Sequence, residues 1–420
     1  MTTSMPPADT TSGREATTGA WKTWLAVGAT GFGGPAGQVA ILHREVVERN
    51  RWLTEEEFLA ALRVCMLLPG PEAQQLATYA GWRVGGTRGG IVAGSLFVLP
   101  GALLVTALAW THAAGRDVPL VAAAFAGVRP VVVALVGLAM WRIARRSITT
   151  PADAGLAIVA GAALIWGVPF PAVVAACGVL GWLIAPGDCS EPPLESSPAR
   201  RGLVRHALAV TGIAAAVWAA CFGLVWLTDA AAGQGPALAT LFTETTLLSL
   251  GGAYAVVPWA LDEAIARGWL DAAERFTALA MGEATPGPLI LVVTFIGFLA
   301  GWKTAPEAAA VAGLEGAATA TVFAFIPSFA MILALAPAVG SIRVGSRLGR
   351  ALAAVGAAVV AAIALLATQL AHDAFLQSGR LDLVPVAIAA LAAIALAGAK
   401  MPTPLVVLAA AAAGVVRAAL

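Results

Sequence analysis

The sequence predicts an all-α polytopic membrane protein of two homologous halves in an inverted repeat, with about thirteen hydrophobic elements and broken helices. Three features support this: low charge, apolar runs of membrane length, and an internal duplication. Of the 420 residues, 59% are hydrophobic and only 12% are charged, about half the charge of a soluble domain. Runs such as Gly89–Ala109, Val204–Leu227 and Ala351–Leu370 have about 20 residues, enough to span a bilayer core as helices.

A polar, proline-rich stretch near the middle of the chain marks the boundary between the halves. We expect a disordered tail at residues 1–19, a first transmembrane repeat at 20–185, a linker at 186–202, a connecting transmembrane helix at 203–228 and a second repeat at 237–420. The tail has no basic segment followed by an apolar core. It is therefore interpreted as a cytoplasmic tail and not as a signal peptide.

Apolar runs separated by turn signals define the elements of each repeat. Those of the first repeat lie at 20–42, 58–82, 89–112, 119–141, 152–168 and 169–185. Those of the second lie at 237–260, 275–302, 305–337, 350–371, 382–399 and 402–419. If every element crosses the membrane, an odd number of crossings separates the two starts, and the second copy is inverted relative to the first.

An ordered series of short motifs recurs at a shift of 218 or 217 positions. The pairs are Gly33-Gly34 with Gly251-Gly252, Trp52-Leu53 with Trp269-Leu270, Glu57 with Glu274, and Pro69-Gly70-Pro71 with Pro286-Gly287-Pro288. Between the glycine and proline motifs, each copy has a charged amphipathic stretch, His43–Glu57 or Asp262–Arg275, of the kind that lies at a membrane interface. Chance does not produce such an ordered series, so the chain is a duplication.

Loop charges predict the orientation of the chain. With the N-terminus inside, most Lys and Arg residues fall on the inner side, in agreement with the positive-inside bias. This topology places Arg83, Arg142, Arg146, Arg267 and Arg275 together on the inner side.

The duplicated glycine and proline motifs predict a binding site for an anion. Pro-Gly-Pro inside a span breaks the helix, and the broken backbone must line a cavity or be covered by protein. The half-helix after each break offers free N–H groups and a positive dipole end to an anion. A single kink would more often serve packing alone. The candidate substrate-binding residues are Gly33, Gly34, Pro35, Pro69, Gly70, Pro71, Gln74, Arg129, Gly251, Gly252, Thr285, Pro286, Gly287 and Pro288.

Ionisable residues at membrane depth are costly and suggest function. Arg129 lies in an apolar run, and its planar charged fork suits a tetrahedral oxyanion, although a structural ion pair is an equal alternative. Carboxylates repel a dianion unless they are protonated, so they suit proton coupling better than substrate contact. The coupling candidates, each as easily structural, are Glu72, Glu244, Glu283 and Glu315.

Other classes of function find little support in the sequence. There is no HExxH, GxSxG or paired Asp motif and no Cys–His metal spacing, so we expect no enzyme, metal or cofactor. A net charge of +1 gives no indication of a nucleic-acid partner. A scaffold protein would not need duplicated broken helices, whereas an anion channel stays an alternative. The lipid bilayer is the expected partner, and the small residues of Gly349–Ala362 suit a homodimer or packing within one chain.

Taken together, these motifs resemble the chromate ion transporter (CHR) family in its long, two-domain form. In the first half the matching stretches are Gly31-Phe32-Gly33-Gly34-Pro35, His43-Arg44-Glu45-Val46-Val47, Trp52-Leu53-Thr54, Leu68-Pro69-Gly70-Pro71, Pro100-Gly101 and Gly127-Val128-Arg129-Pro130. In the second half they are Leu250-Gly251-Gly252-Ala253, Val257-Pro258, Gly268-Trp269-Leu270 and Ala284-Thr285-Pro286-Gly287-Pro288-Leu289.

The resemblance implies a multi-pass carrier in the bacterial inner membrane, with a cytoplasmic N-terminus, that exports chromate by alternating access. The membrane potential or the proton gradient would drive it. Sulfate has the same charge and nearly the same shape, so a sulfate or other oxyanion carrier is the alternative. The chain departs from many relatives in two places: Gly37-Gln38 stands in place of Ala-His, and Glu72 is an added carboxylate after the first Pro-Gly-Pro.

Overall fold

The computed structural model describes residues 12–184, 198–228, 234–341, 346–377 and 380–419, and these are almost entirely helical. The first half contains α1 (Ser12–Thr30), α2 (Gly34–His43), α3 (Glu55–Cys65), α4 (Glu72–Ala114), α5 (Pro119–Ser147), α6 (Pro151–Ile165) and α7 (Phe170–Ile184), and α8 (Pro198–Thr228) follows it. The second half contains α9 (Gly235–Leu248), α10 (Val257–Ala266), α11 (Glu274–Ala284), α12 (Val292–Thr304), α13 (Ala309–Leu335), α14 (Ser346–Phe375), α15 (Leu383–Ala393) and α16 (Thr403–Ala419). A short hairpin of β1 (Leu376–Gln377) and β2 (Arg380–Leu381) joins α14 to α15.

The second half repeats the first helix for helix. Helices α1 to α3 correspond to α9 to α11, and α5 to α7 correspond to α14 to α16. Helix α4 has 43 residues, but its backbone is not helical at Gly85 and Gly86. It therefore joins two helices that the second half keeps separate as α12 and α13. The all-α, duplicated architecture predicted from the sequence is confirmed.

Each predicted motif pair forms a turn or break in the chain. Helix α1 ends at Thr30, and positive φ angles of 95° at Gly33 and 69° at Gly34 let α2 begin at once in a new direction. Lys22 on α1 and Asn50 beyond α2 line one cavity of ≈ 290 Å³, so α1 and α2 run antiparallel as a half-length hairpin. The run 20–42 is thus two short helices and not one crossing.

Helix α3 and the first segment of α4 form a second break of the same kind. The helix ends at Cys65, residues 66–71 are irregular, and α4 begins at Glu72. The second half breaks at the corresponding places, after Leu248 and after Ala284. The predicted runs 58–82, 237–260 and 275–302 each divide there.

The same carboxylate cap begins α3 and α11. Thr54 and Glu57 form a capping box, in which the Thr54 N–H donates to Glu57 Oε2 at 3.0 Å. In the second copy the Asp271 N–H donates to Glu274 Oε2 at 2.7 Å. Equivalent residues thus make equivalent contacts.

These two caps lie at opposite ends of the bundle. Arg83 binds Glu57, and Arg116 binds Asp271. Arg83 and Arg116 flank the second segment of α4, residues 87–114, which at 1.5 Å per residue is about 40 Å long. The two copies are therefore inverted, as predicted.

One part of the predicted topology is wrong. Arg267 and Arg275, expected on the same side as Arg83, lie beside Asp271 at the Arg116 end. The error arises because the sequence analysis counted each broken run as a full crossing. In fact each broken run returns to the end from which it started.

The halves exchange their last helices. Helix α5 packs on α16, where a Cβ at Gly414 would lie 2.7 Å from the Gly127 Cα atom. Helix α7 packs on α14, where a Cβ at Gly181 would lie 2.6 Å from the Ala354 Cβ atom. Each half therefore contributes helices to the core of the other.

In the described part of the chain, five helical segments are long and apolar enough to cross a membrane. They are Glu72–Ala114, Pro119–Ser147, Arg201–Thr228, Pro306–Gly340 and Arg347–Phe375. The connecting helix starts at Pro198, five positions before its predicted start at 203. Residues 12–19, predicted as a disordered tail, belong to α1, whereas the tail before them and residues 186–197 of the predicted linker lie outside the described residues.

Candidate functional site

The break after α1 in the first repeat lies against the Pro-Gly-Pro break of the second repeat, and we call this contact between two breaks the first crossing. The backbone N–H of Gly287 donates to the Gly31 carbonyl at 3.1 Å. Gln38 is buried, and its Nε2 donates to the Gly287 carbonyl at 2.5 Å and to the Gly31 carbonyl at 3.2 Å. One amide side chain from α2 therefore joins two broken backbones of different repeats.

A second crossing relates the remaining two breaks. The backbone N–H of Gly70 donates to Ser249 Oγ at 2.8 Å, and that hydroxyl donates to the Thr246 carbonyl at 2.6 Å. Ser249 occupies the repeat position of Gly31, because the two differ by the shift of 218. The crossings are thus related by the inversion, but one uses a backbone carbonyl and the other a hydroxyl.

Proline-kinked helices pack against both crossings. Pro100 and Pro327 lie inside α4 and α13. Gly101, which follows the first proline, is so close to the Pro286 carbonyl oxygen that a Cβ there would overlap it. Ser328 follows the second proline, and a Cβ at Gly70 would come within 2.8 Å of its hydroxyl. The crossings are therefore covered by protein, as a broken backbone at membrane depth requires.

The glutamines after the first break stabilise the break itself. Gln74 is buried, accepts a hydrogen bond from Ser328 Oγ at 2.6 Å and donates to Thr78 Oγ1 at 2.9 Å. Gln75 donates to the Pro69 carbonyl at 2.7 Å, and its Oε1 is buried without a partner in the described chain. Gln74, predicted to bind substrate, is therefore already satisfied within the protein.

The predicted binding residues separate into an accessible group and a buried group. Gly33, Pro35 and Gly251 are exposed, and Gly34 and Gly252 are partly exposed. The exposed surface at the crossings is therefore formed by the glycine motifs. The buried group comprises Gly70, Pro71, Thr285, Pro286, Gly287 and Pro288, with Pro69 partly buried.

Two of the four predicted coupling residues lie at the crossings. Glu72 is the first residue of α4, and its Oε1 lies 3.8 Å from the position that a Cβ at Gly252 would take. Glu283 lies in the last turn of α11, before the second break. Glu244 and Glu315 are instead exposed on the outer faces of α9 and α13. The two carboxylates at the site break the symmetry of the repeat, because their equivalents are Leu289 and Met66.

Arg129 is not brought to either crossing. Its guanidinium lies over the Phe276 ring, 5.9 Å from the centroid. Phe276 precedes Glu283 by two turns of α11, about 10 Å along the helix. The cations that act on the site carboxylates are Arg142, on Glu283, and Arg146, on Glu72. From the sequence, both arginines were predicted only to lie on the inner side of the membrane.

An ionic cluster closes the Arg116 end of the bundle. Glu274 is buried, and its Oε2 accepts from Lys303 Nζ at 2.6 Å, while Arg116 and His112 each lie 3.7 Å from its Oε1. Burial alone would raise the pKa of Glu274, but His112 and Lys303 lower it more strongly. The pKa therefore falls from its ordinary value of 4.5 to about 2. Within the described ranges, the equivalent Glu57 has Arg83 as its one cationic partner. Among the described residues, no group of three His, Cys, Asp or Glu side chains is placed to hold a metal ion.

Comparison with known proteins identifies the family. The family model described as Chromate transporter matches residues 19–182 and 236–415. The chromate transport protein of Pseudomonas aeruginosa is 32% identical over 355 residues, which cover 83% of this chain and 80% of that protein.

Two further relatives extend the comparison. The probable chromate transport protein of Synechococcus elongatus is 28% identical over 94% of this chain and 93% of its own length. The chromate transport protein of Cupriavidus metallidurans is 27% identical over 75% of this chain and 72% of its own length. No solved structure matches the chain. Because the family model covers both repeats, the chain belongs to the chromate transporter family.

Proposed function

We propose that this chain is a secondary carrier that exports chromate across the bacterial inner membrane by alternating access. The observation that carries the proposal is the pair of inverted crossings, at which each broken hairpin of one repeat meets the Pro-Gly-Pro of the other. Chromate is the substrate named for the relatives from Pseudomonas aeruginosa and Synechococcus elongatus. Carriers built from inverted repeats commonly bind substrate at broken helices near the midplane.

The inequality of the two crossings supports a two-state mechanism. Gln38 adds two hydrogen bonds to the first crossing, whereas the second depends on the Ser249 hydroxyl. An inverted pair of similar but unequal contacts can exchange roles when one repeat rocks against the other. Access would then alternate between the two ends without a continuous pore.

The helix that begins at Glu72 suits an anion. Its first N–H groups have no acceptor within the helix, and its positive dipole end adds to their attraction. The exposed backbone at Gly251 and the partly exposed backbone at Gly252 lie across from this end, and the Glu72 carboxylate lies beside Gly252. Sulfate would fit the same features, and competition by sulfate is expected.

The distribution of cations supports a cytoplasmic N-terminus. Helix α5 starts at the Arg116 end and runs towards the other end, so Arg142, Arg145 and Arg146 in its last turns lie on the Arg83 side of the bundle. Lys22 on α1 shares a cavity with Arg49, near that same end. This concentration of cations marks the cytoplasmic side under the positive-inside rule.

Chromate uptake into inverted membrane vesicles tests the proposal. Wild-type vesicles should accumulate chromate in a saturable way, with competition by sulfate and acceleration by an opposing chromate gradient. Gly70→Leu or Gly287→Leu should abolish uptake, and Gly137→Leu, at a helix position with open space, should retain it. Uptake equal to that of vesicles without the protein would contradict chromate transport. Uptake that rises without saturation would indicate a channel instead.

A further inference from the structure

Two arginines at the end of α5 face the first break. Arg142 and Arg146 are spaced four residues apart and therefore lie on one face of the helix. The Nη2 atom of Arg146 lies 3.3 Å from the Met66 sulfur, which places this guanidinium over residues 66–71, between α3 and α4. A guanidinium is thus held at the break by a neutral, weakly accepting group.

Two carboxylates oppose these arginines without contacting them. The charge of Arg146 acts on Glu72, and the charge of Arg142 acts on Glu283. In the described part of the chain, none of the four side chains takes part in an ion pair. Some arginines elsewhere in the described chain are paired directly: Arg83 with Glu57, Arg275 with Asp262, Arg350 with Asp153 and Arg417 with Asp382. The α5 pair therefore keeps its charge available for another anion.

The chemistry of this arrangement fits a doubly charged tetrahedral oxyanion. Each guanidinium presents a planar fork of donors that matches two oxygens of such an anion. Two forks on one helix face can engage two edges of the same tetrahedron and balance two negative charges. The carboxylates of Glu72 and Glu283 would compete with that anion and so favour its release.

We propose that Arg142 and Arg146 together bind the transported tetrahedral dianion against the break at Met66–Glu72, with Glu72 and Glu283 as the competing carboxylates. This inference rests on the proposed transport function and names the side chains that recognise the substrate. Arg142 and Arg146 take the role predicted for Arg129, whose guanidinium lies over the Phe276 ring instead.

Arg145 provides a matched control on the same helix turn. It lies over the Trp141 ring at 5.4 Å, and among the described residues no hydrogen bond or ion pair joins it to the break. It shares with Arg142 and Arg146 the end of α5, where cations favour the helix dipole and the membrane interface. A purely structural or lipid-anchoring role would therefore affect all three arginines alike.

Equilibrium binding to the purified full chain tests the assignment. Radiolabelled chromate and sulfate would be titrated in detergent against wild type, Arg142→Ala/Arg146→Ala, Arg142→Lys/Arg146→Lys and Arg145→Ala. Loss of a charged hydrogen bond typically weakens binding about tenfold or more, so the double alanine variant should lose at least about tenfold in affinity. The lysine variant should fall between the two, and Arg145→Ala should bind as the wild type does.

The outcomes separate this inference from the function on which it rests. Wild-type protein that binds neither anion would overturn the proposed function and this site with it. Binding by wild type that the double alanine variant retains unchanged would overturn only the arginine assignment. If the double variant is not monodisperse, Arg142→Gln and Arg146→Gln decide singly, and unchanged affinity in both would also reject the assignment.

Discussion

Gly31 and Gly287 belong to different repeats, yet the amide of Gly287 donates to the carbonyl of Gly31 at 3.1 Å. This hydrogen bond joins two irregular backbone segments and gives the Gly287 amide an acceptor at membrane depth. Unpaired backbone groups cost several kcal/mol in such surroundings, about as much as a lost buried hydrogen bond or more. Each repeat therefore satisfies the broken backbone of the other.

Gln38→Leu should weaken this crossing. The change removes the donor to the buried Gly287 carbonyl while keeping a side chain of similar size, and an unsatisfied buried acceptor costs about 1–3 kcal/mol. Thermal unfolding in detergent and chromate uptake should both decline. Thr30→Val removes an exposed hydroxyl that bonds only within α1, so it serves as the control. Equal stability of Gln38→Leu and wild type would show that the bridge contributes nothing.

Gly70→Ala should impair the second crossing. Gly70 has a φ of 118°, which costs a residue with a side chain about 1–3 kcal/mol. Its Cβ would also come within 2.7 Å of Gln75 Nε2 and 2.8 Å of Ser328 Oγ. Gly137→Ala, in open space on α5, should be neutral or slightly stabilising because alanine favours helix. Uptake by reconstituted protein distinguishes the two, and equal rates would argue against a strained, closely packed break.

Gly414→Val should separate α16 from α5. A Cβ at Gly414 would overlap the Ala123 carbonyl oxygen and crowd the backbone of Gly127, and overpacking of this kind costs about 1–3 kcal/mol or more. Gly212→Val on the exposed α8 has no such neighbour and is the control. The half-life of monodisperse protein at elevated temperature should shorten for the first variant only. A similar half-life for both would contradict the exchanged packing of the last helices.

Glu274→Gln should destabilise the Arg116 end by about 1–3 kcal/mol, because it removes a charged partner of Lys303. The folded pKa of Glu274, about 2, lies below its ordinary value of 4.5. Its stabilisation is therefore present above pH 4.5 and is lost as the pH falls from 4.5 towards 2. The stability difference between wild type and the variant should be constant above pH 4.5 and shrink below it. A stability difference that grows as the pH falls below 4.5 would show that ionised Glu274 does not stabilise the fold.

Glu72→Gln should strengthen oxyanion binding several-fold at neutral pH. It removes a negative charge that Arg146 now attracts and that repels an incoming dianion. Glu315→Gln makes the same substitution at a glutamate on the exposed face of α13 and should leave affinity unaltered. The comparison uses equilibrium binding of labelled sulfate. Weaker binding in Glu72→Gln would mean that this carboxylate contacts the substrate favourably instead.

Much of the fold could be predicted from the sequence because duplication leaves a local record. The shift of 218 or 217 between Gly33-Gly34 and Gly251-Gly252, or between Glu57 and Glu274, is readable without a structure. The division of the run 20–42 into two short helices cannot be read from the sequence. An apolar segment of crossing length looks the same whether it crosses or turns back, and only the positive φ angles at Gly33 and Gly34 decide the matter.

The partners within the site could be predicted less well. Gln38, Ser249 and Ser328 each act across repeats, through contacts between residues far apart in sequence. The sequence locates each break but does not tell which residue of the other repeat contacts it. Ser249 could have been found from its position, since it replaces Gly31 in the second copy. The choice of Arg129 over Arg142 and Arg146 followed from depth in the apolar run, which does not report the direction of a side chain.

The position of a bound heavy oxyanion shows whether the substrate binds at the crossings between the two repeats. Tungstate has the charge and tetrahedral shape of chromate and scatters strongly, so a cryo-electron microscopy map of the full chain with tungstate would locate it. We expect density between the start of α4 at Glu72, the backbone at Gly251 and Gly252, and the guanidinium groups of Arg142 and Arg146. Density at the cavity beside Lys22 and Arg49, or beside Arg129, with none at the crossings would contradict it.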